Sequence, residues 1–308
     1  MNEELNSGKK RVRNMSKDKI VDTFSECFKM WFSRILITAI DEETALDAAQ
    51  STVGFATSII MCSAEAGIER IVSAEETPDN RPGVIIQIWT KRSKLMKDEL
   101  LTRISQSAMT APTTSVFNYL EEGEKSEPIG KLISYFGDGH QKKITKYERD
   151  MWKIPVMDGS FLIEESFNFV KGIAGGLIIL IGKSTKETLA ATKFAIKKIH
   201  GSPAKAITSF PGGICRSGSK IGSKYTFLDE STNHQFCPTL VDEIEDILLP
   251  KGAKCVYEIV INAASEEDLK LAMKEAILAV KDNEEIIQIT SSNYDGKLGS
   301  IKINLKDL

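Results

Sequence analysis

The chain predicts an α+β fold of two related lobes, each a ferredoxin-like βαββαβ unit. Three observations carry this expectation. Strand–helix–strand grammar occurs twice in each half of the 308 residues. Only four segments read as strong amphipathic helices, few for a chain of this length. An irregular, strand-rich stretch from Lys131 to Phe169 interrupts the continuous winding that the competing arrangement, a doubly wound parallel sheet, requires.

The elements follow in order. "RILITAI" (Arg34 to Ile40) reads as a strand, and Asp41 caps a helix that aligns Leu46, Ala49 and Val53 and stops at Gly54. "TSIIM" reads as the next strand, and "MCSAEAGIER" follows it. "GVIIQIW" (Gly83 to Trp89) is a strand, and a helix from about Ser93 aligns Met96, Leu100, Ile104 and Ala108. In the second half "GLIILIG" is a buried strand. Ser184 with Glu187 forms a capping box for a helix that ends at Gly201. "CVYEIVI" (Cys255 to Ile261) is a strand, and Ser265 with Asp268 opens a helix carrying Leu269, Ala272, Ala276 and Val280. "EIIQIT" and "GSIKINL" close the chain as strands. The expected division is a flexible extension over residues 1–19, one lobe over 20–158 and the other over 159–308, with the seam in "IPVMDGSF".

Composition excludes several classes. Forty basic against 43 acidic residues leave a net charge of -3, without the basic excess of nucleic-acid binders. The densest basic run, "SGKKRVRNMSKDK", lies at the N-terminus and reads as a solvated tail, with nuclear targeting or RNA contact as alternatives. The longest apolar run, "GIAGGLIILIG", is shorter than the roughly 20 residues that span a bilayer. A soluble, cytoplasmic protein is expected. Five cysteines without CxxC spacing suit free thiols in a reducing compartment. The three scattered histidines form no zinc motif; His200 is expected to sit as a cation at a helix end.

Five segments carry candidate chemistry. "FPGGICRSGSKIGSKY" (Phe210 to Tyr225) is not a P-loop, because GxxxxGK[ST] spacing and a following helix are missing. Its glycines and serines, with Arg216, Ser217, Lys220 and Lys224, make either a mobile surface loop or a loop for an anionic ligand. Glu65 and Glu69, spaced i,i+4, would share a helix face, as a solvated pair or a paired-carboxylate site. Asp79 and Arg81 can pin the turn before "GVIIQIW". "TAPTTSVFN", containing Thr113, either lines a polar pocket or caps and turns. In "CVYEIVIN", alternation puts Val256, Glu258 and Val260 on one face. On a solvated face Glu258 is ordinary; on a buried one its pKa rises and a neutral carboxyl can donate to an oxyanion.

The strings "SRILITA", "GFATSIIMCSAEAGIE", "ETPDNRPGV", "TAPTTSVFN", "FPGGICRSGSK", "KYTFL", "FCP", "VYEIVIN" and "GKLG" resemble the formylmethanofuran:tetrahydromethanopterin formyltransferases, over nearly everything from Asp22 to Leu308. The resemblance implies two ferredoxin-like lobes, a homodimer or homotetramer with substrates in a cleft near a subunit contact, and no metal or prosthetic group. It implies formyl transfer from formylmethanofuran to N5 of tetrahydromethanopterin, with the glutamate of "VYEIVIN", here Glu258, as catalytic acid. The anionic substrate tails would suit the loop of Ser217, Lys220 and Lys224. Glu65, Glu69, Asp79, Arg81 and Thr113 are the other substrate-binding candidates. Other one-carbon enzyme subunits are further partner candidates, for a diverged paralogue. Three departures stand out: Ser63 where the family usually has proline, Arg216 where it has a small residue, and Asp295 where it has glycine. Cys62 and Cys215 are the nucleophile candidates of an acyl-enzyme alternative.

Overall fold

A computed structural model describes residues 18–218 and 220–308. The basic tail lies outside them as far as residue 17. Lys19 is docked on the second lobe: its carbonyl accepts from Ile289 N at 2.8 Å, and its Nζ donates to Asn283 O at 2.6 Å.

The first lobe is β1 (Phe24–Thr38), α1 (Glu42–Val53), β2 (Glu65–Val72), β3 (Gly83–Thr90), α2 (Ser93–Arg103) and β4 (Ser115–Asn118). A connecting region holds β5 (Lys125–Glu127), α3 (Ile129–Ser134), β6 (Lys142–Lys146), β7 (Arg149–Val156) and β8 (Gly159–Glu164). The second lobe is β9 (Phe167–Gly182), α4 (Thr185–His200), β10 (Ala206–Ile207), the small ribbon β11 (Lys220–Ile221) and β12 (Glu230–Ser231), then β13 (Cys255–Ala263), α5 (Glu266–Val280) and β14 (Ile286–Thr290). Finally β15 (Ile301–Asn304) crosses back to pair with β1.

Both lobes have the ferredoxin-like strand order. The first runs β4-β1-β3-β2 and the second β14-β9-β13-β10, fourth-first-third-second in each. The two first strands also pair with each other, antiparallel, Phe28 to Phe32 against Val170 to Ala174. A duplication related by a local twofold produces this arrangement, and it fuses the lobes into one large sheet.

Helix ends follow the capping signals. Asp41 accepts from Thr44 N, Ser184 from Glu187 N and Ser265 from Asp268 N, each satisfying a first-turn donor. On the helix side of the first sheet, Ile35, Ile37, Val84, Ile86 and Ile88 pack with Met96 and Leu100. On that of the second, Ile178, Leu180, Ile259 and Ile261 pack with Leu269, Met273 and Ile277. The seam expected between 158 and 159 falls at the tip of the β7–β8 hairpin, and Phe161, Ile163, Phe167 and Phe169 pack into the first core.

Two local expectations are corrected. "TSIIM" is not a strand: Phe55 turns the chain with φ +50, and Met61 N and Cys62 N both donate to Ser58 O. Its isoleucines serve a cavity wall instead of the sheet. The segment holding Glu65 and Glu69 is the strand β2, not a helix, with a bulge between Ile68 and Arg70.

Candidate active site

A cavity of about 620 Å³ opens where the lobes meet, a size that suits a substrate-sized ligand. Strands β1 and β9 supply Phe28, Met30 and Leu177, and β13 supplies Val260. Polar groups come from both lobes: Glu26 and Glu65 from the first, Glu230 and Tyr294 from the second.

Glycine and asparagine make the junction. Gly175 sits inside β9 with φ +85, a conformation costly for any residue with a Cβ. Its N–H donates to Asn262 Oδ1 at 3.1 Å. Asn262 occupies the irregularity in β13, and its Nδ2 donates to Glu65 Oε2 at 2.6 Å, across the lobes. Glu65 Oε1 accepts from Ile59 N at 3.1 Å. Burial pushes the Glu65 carboxyl up, against both hydrogen bonds. Glu230 is raised by burial and then by the charges of Asp229 and Glu65.

Glu258 is buried, 4% exposed, so the solvated reading of its face is excluded. The long connection from β10 to β13 roofs it. Cys215 N donates to Glu258 O and Glu258 N to Cys215 O, both at 2.9 Å, so the glycine-rich loop is bolted to β13. Asn233 Nδ2 donates to Glu258 Oε1 at 2.9 Å, while Oε2 is buried with no hydrogen-bond partner among the described residues. Burial raises the carboxyl's pKa, opposed by hydrogen bonds from Asn233 and Cys215. Among the described residues, no Lys, Arg or His forms an ion pair with it. Val260, two residues along the same face, lines the cavity, which puts Glu258 about 7 Å beyond that wall by strand rise.

The other expected site residues are dispersed. Glu69 is buried and gripped by Arg34, with Nε to Oε2 at 2.7 Å and Nη2 to Oε1 at 2.5 Å; Gln87 Nε2 adds a third bond at 2.7 Å. It is an internal ion pair rather than half of a paired-carboxylate site. Asp79, Arg81 and Thr113 also lie away from the cavity. Arg81 reaches Asp79 Oδ2, Thr38 Oγ1 and Ser115 Oγ at 2.9, 3.0 and 2.7 Å, and the Thr113 carbonyl. Thr113, with φ +62, donates its N–H to Asp158 Oδ2 at 2.7 Å. This network locks one end of β1, β3 and β4. Thr38 is eight residues beyond the cavity residue Met30 on β1, about 26 Å away.

In the glycine-rich loop, Ser217 accepts or donates at 3.5 Å with Cys215 Sγ, and Lys220 Nζ meets His234 Nδ1 at 3.1 Å. Lys224 and Arg216 are exposed. Ile221 of this loop lines the cavity, and its N–H donates to the Tyr294 hydroxyl. The loop therefore forms one wall. Asp295, in the position expected to hold glycine, takes the left-handed conformation with φ +56 and keeps the turn.

Two further expectations change. His200 is not a surface cation: burial pushes its imidazole down, and its nitrogens meet Glu69 O at 3.2 Å and Thr208 Oγ1 at 3.1 Å. Burial also pushes the Cys215 thiol up, away from the nucleophilic form. At Cys62 burial acts upward, but bonds from Ser58 and Thr57 and the charge of Arg103 outweigh it and hold the thiol below its usual range.

Sequence reasoning missed Glu26, Asn233, Asn262 and Tyr294. Glu26 had a signal: Phe24, Glu26, Phe28, Met30 and Phe32 alternate on one strand face, the pattern that flagged Glu258. Asn233 and Tyr294 sit in loops and had none.

This arrangement is matched by known proteins. The family model described as formylmethanofuran-tetrahydromethanopterin formyltransferase matches residues 14–156, and the one described as its proximal lobe matches residues 159–308. The chain belongs to this family. It is 45% identical to the formylmethanofuran–tetrahydromethanopterin formyltransferase of Methanosarcina barkeri over 291 residues, 94% of this chain and 98% of that one. The Methanopyrus kandleri enzyme of the same name is 45% identical over 294 residues, again 94% and 98%. Among solved structures, the Methanosarcina barkeri formyltransferase superposes with TM-score 0.92 at 44% identity, covering 94% of this chain and 98% of that one. The formyltransferase/hydrolase complex of Methylorubrum extorquens with methylofuran contains a chain with TM-score 0.89 at 38% identity, covering 94% and 96%. The chain is a formyltransferase of α+β fold. Among the described residues, no helix is long and apolar enough to cross a membrane, and no group of three or more His, Cys, Asp or Glu could hold a metal ion.

Proposed function

We propose that this chain moves a formyl group from formylmethanofuran to N5 of tetrahydromethanopterin in a ternary complex, with Glu258 as the acid. The observation that carries the reading is a carboxyl held by a neutral amide beside the cavity, with its second oxygen buried and without a hydrogen-bond partner among the described residues. A buried carboxyl without a cation favours its protonated form and becomes a donor.

The pterin N5 attacks the formyl carbon, and the carbonyl oxygen gains negative charge. A neutral Glu258 donates to that oxygen, an interaction that strengthens only as the tetrahedral intermediate forms. When the C–N bond to the furan amine breaks, the leaving nitrogen gains the proton that N5 loses. The oxidation state of carbon is unchanged, so the reaction calls for no redox partner. Holding both substrates in register supplies the other large contribution. Ser217, Lys220 and Lys224 remain the candidates for an anionic tail on the loop side.

We also propose a homo-oligomer that covers the cavity's outer rim. Phe55 and Met61 are each 88% exposed, on the segment whose Ser58 and Ile59 line the cavity. One solved relative belongs to a formyltransferase/hydrolase complex, so a heteromeric assembly is the competing outcome.

The test is formyl transfer by the purified protein supplied with both substrates, run beside sedimentation analysis. Production of N5-formyl pterin by a dimer or tetramer is expected. No transfer at any salt concentration would overturn the catalytic reading. An active species sedimenting only as a 34.1 kDa monomer would overturn the oligomer.

A further inference from the structure

One wall of the cavity carries a buried acceptor that no group among the described residues satisfies. Glu26 is only 6% exposed and lines the cavity from β1. Its Oε2 accepts from Tyr294 N at 3.1 Å. Its Oε1 is buried with no hydrogen-bond partner among the described residues. Lys302, directly opposite on β15, does not pair with it; its Nζ lies over the Phe24 ring, 5.0 Å from the centroid. A buried acceptor left open costs about 1–3 kcal/mol, more when charged, so it marks a place where a ligand donor belongs.

The other cavity carboxylates differ. Glu65 has both oxygens taken, by Ile59 N and Asn262 Nδ2. Glu230 lies at the half-exposed side next to Asp229. Around Glu26 the walls are apolar, with Phe28 and Met30 from its own strand face and Leu177 and Val260 from across the junction. An acceptor pair at the end of an apolar slot suits a flat heterocycle that offers two adjacent N–H donors.

We propose that Glu26 reads the aminopyrimidinone edge of the pterin, the N3–H and 2-amino pair, and sets specificity for that ring. The inference rests on the formyl-transfer reading above. Of the two substrates in that reading, only the pterin has such an edge; the reacting end of formylmethanofuran offers a single amide N–H. A carboxylate presents two acceptors to two donors; Oε1 accepts no bond among the described residues, and Oε2, which accepts from Tyr294 N, keeps a second lone pair. Lys29 and Lys91, also on the cavity lining, leave a cationic side for a charged substituent.

The matching rule makes the test sharp. A 2-amino-4-oxo ring offers donor and donor, and fits Glu. A 2,4-dioxo ring offers donor and acceptor, and fits the amide of Gln. Transfer is measured with wild type and Glu26→Gln, varying each substrate in turn. Inhibition by tetrahydropterin and by tetrahydrolumazine is measured with both proteins. Wild type should prefer tetrahydropterin. Glu26→Gln should raise the KM for the pterin by about 10–100-fold and leave the KM for formylmethanofuran within about threefold. Its preference between the two inhibitors should shrink or reverse. A structural role would lower stability or kcat without moving that preference.

An unchanged inhibitor preference in Glu26→Gln overturns the proposal, as does a matched rise in both KM values. If the Gln protein fails to fold, Glu26→Asp keeps the charge one methylene shorter; weaker pterin binding with the 2-amino preference retained supports the proposal, and unweakened binding overturns it. If wild type transfers no formyl group, the functional reading fails separately. Direct binding then decides this inference: tighter binding of tetrahydropterin than of tetrahydrolumazine, reduced by Glu26→Gln, supports it, and equal binding overturns it.

Discussion

Each lobe buries a glutamate on the sheet face turned away from its helices, and the two are housed in opposite ways. Glu69 in the first lobe meets a guanidinium in a two-point grip, with Gln87 and then Trp89 Nε1 extending the network. Glu258 in the second meets only neutral groups, the Asn233 amide and the Cys215 thiol, and its Oε2 has no hydrogen-bond partner among the described residues. The surroundings explain the contrast. In the first lobe, β2 runs for eight residues and brings Glu69 to Arg34 on β1. In the second, the matching strand β10 has two residues, and the long connection to β13 folds over Glu258 as a roof. The first arrangement holds a charge in place; the second leaves a carboxyl whose protonation is set by burial.

The largest effect should come from breaking the satisfied site. Glu69→Ala leaves Arg34 buried and unpaired, a loss of about 3–5 kcal/mol. Replacing both, as Arg34→Met with Glu69→Leu, should recover most of it, because hydrophobic pairs replace buried ion pairs at little cost. Denaturant midpoints read both variants. A Glu69→Ala protein within 1 kcal/mol of wild type, a bound set by ordinary surface pairs, would mean that the network is not the anchor described here.

The next effect should appear in catalysis. Glu258→Ala should lower kcat roughly 10²–10³-fold with smaller changes in either KM, the pattern of an interaction made in the transition state. Glu258→Gln, which donates without exchanging a proton, should fall between Ala and wild type. A Gln variant as slow as Ala would assign Glu258 to proton transfer instead of oxyanion stabilisation. A folded Ala variant with wild-type kcat would remove it from the site.

The same contrast explains how much could be read from sequence. Both lobes and their four long helices follow from apolar periodicity, with a side-chain cap on three of the four, and these are local properties. Glu258 was legible because an acid inside an apolar strand face is a local anomaly, and Glu26 shows the same anomaly on β1. The fate of Glu65 and Glu69 was not. Their spacing fits a helix, but Ala66 N donates to Ala56 O and the segment joins β3 as a strand. Tertiary pairing overrode the local pattern. Asp79, Arg81 and Thr113 had polar side chains of the right kind for a site, yet Arg81 bonds Asp79 and the Thr113 carbonyl at the other end of the sheet. Nothing in their spacing separates the two outcomes.

A smaller effect should appear in the pH dependence of the second lobe's glutamate. Burial lifts the folded-state pKa of Glu258 above its ordinary value of 4.5. Between the unfolded and folded values the native chain holds more protons than the unfolded one, so stability falls as pH rises through that window and levels off above it. Glu65 and Glu230 are shifted the same way and steepen the fall. Gln at 258 does not titrate. The melting temperature of Glu258→Gln relative to wild type should therefore rise from about pH 4 to pH 8. Wild-type transfer should decline over the upper part of the same window as the acid form is lost. A difference independent of pH would show that Glu258 ionises in the folded chain as readily as in the unfolded one.

The smallest effect tests the loop that closes the second lobe's site. Asp295 holds φ +56 beside Gly296 at φ +79, in the turn that follows the cavity residue Tyr294. Aspartate tolerates the left-handed region better than most residues, while glycine adopts it freely and loses more chain entropy on folding. These contributions oppose each other and each is about 1 kcal/mol, so Asp295→Gly should stay within about 0.5 kcal/mol of wild type. A β-branched residue has no such tolerance, and Asp295→Val should cost about 1–2 kcal/mol. The side chain is exposed, with Lys297 3.8 Å away, so the glycine variant should transfer formyl groups at the wild-type rate. A glycine variant that folds normally but loses tenfold or more in kcat would show that the aspartate acts on substrate rather than on the backbone, and would extend the site of the second lobe to this loop.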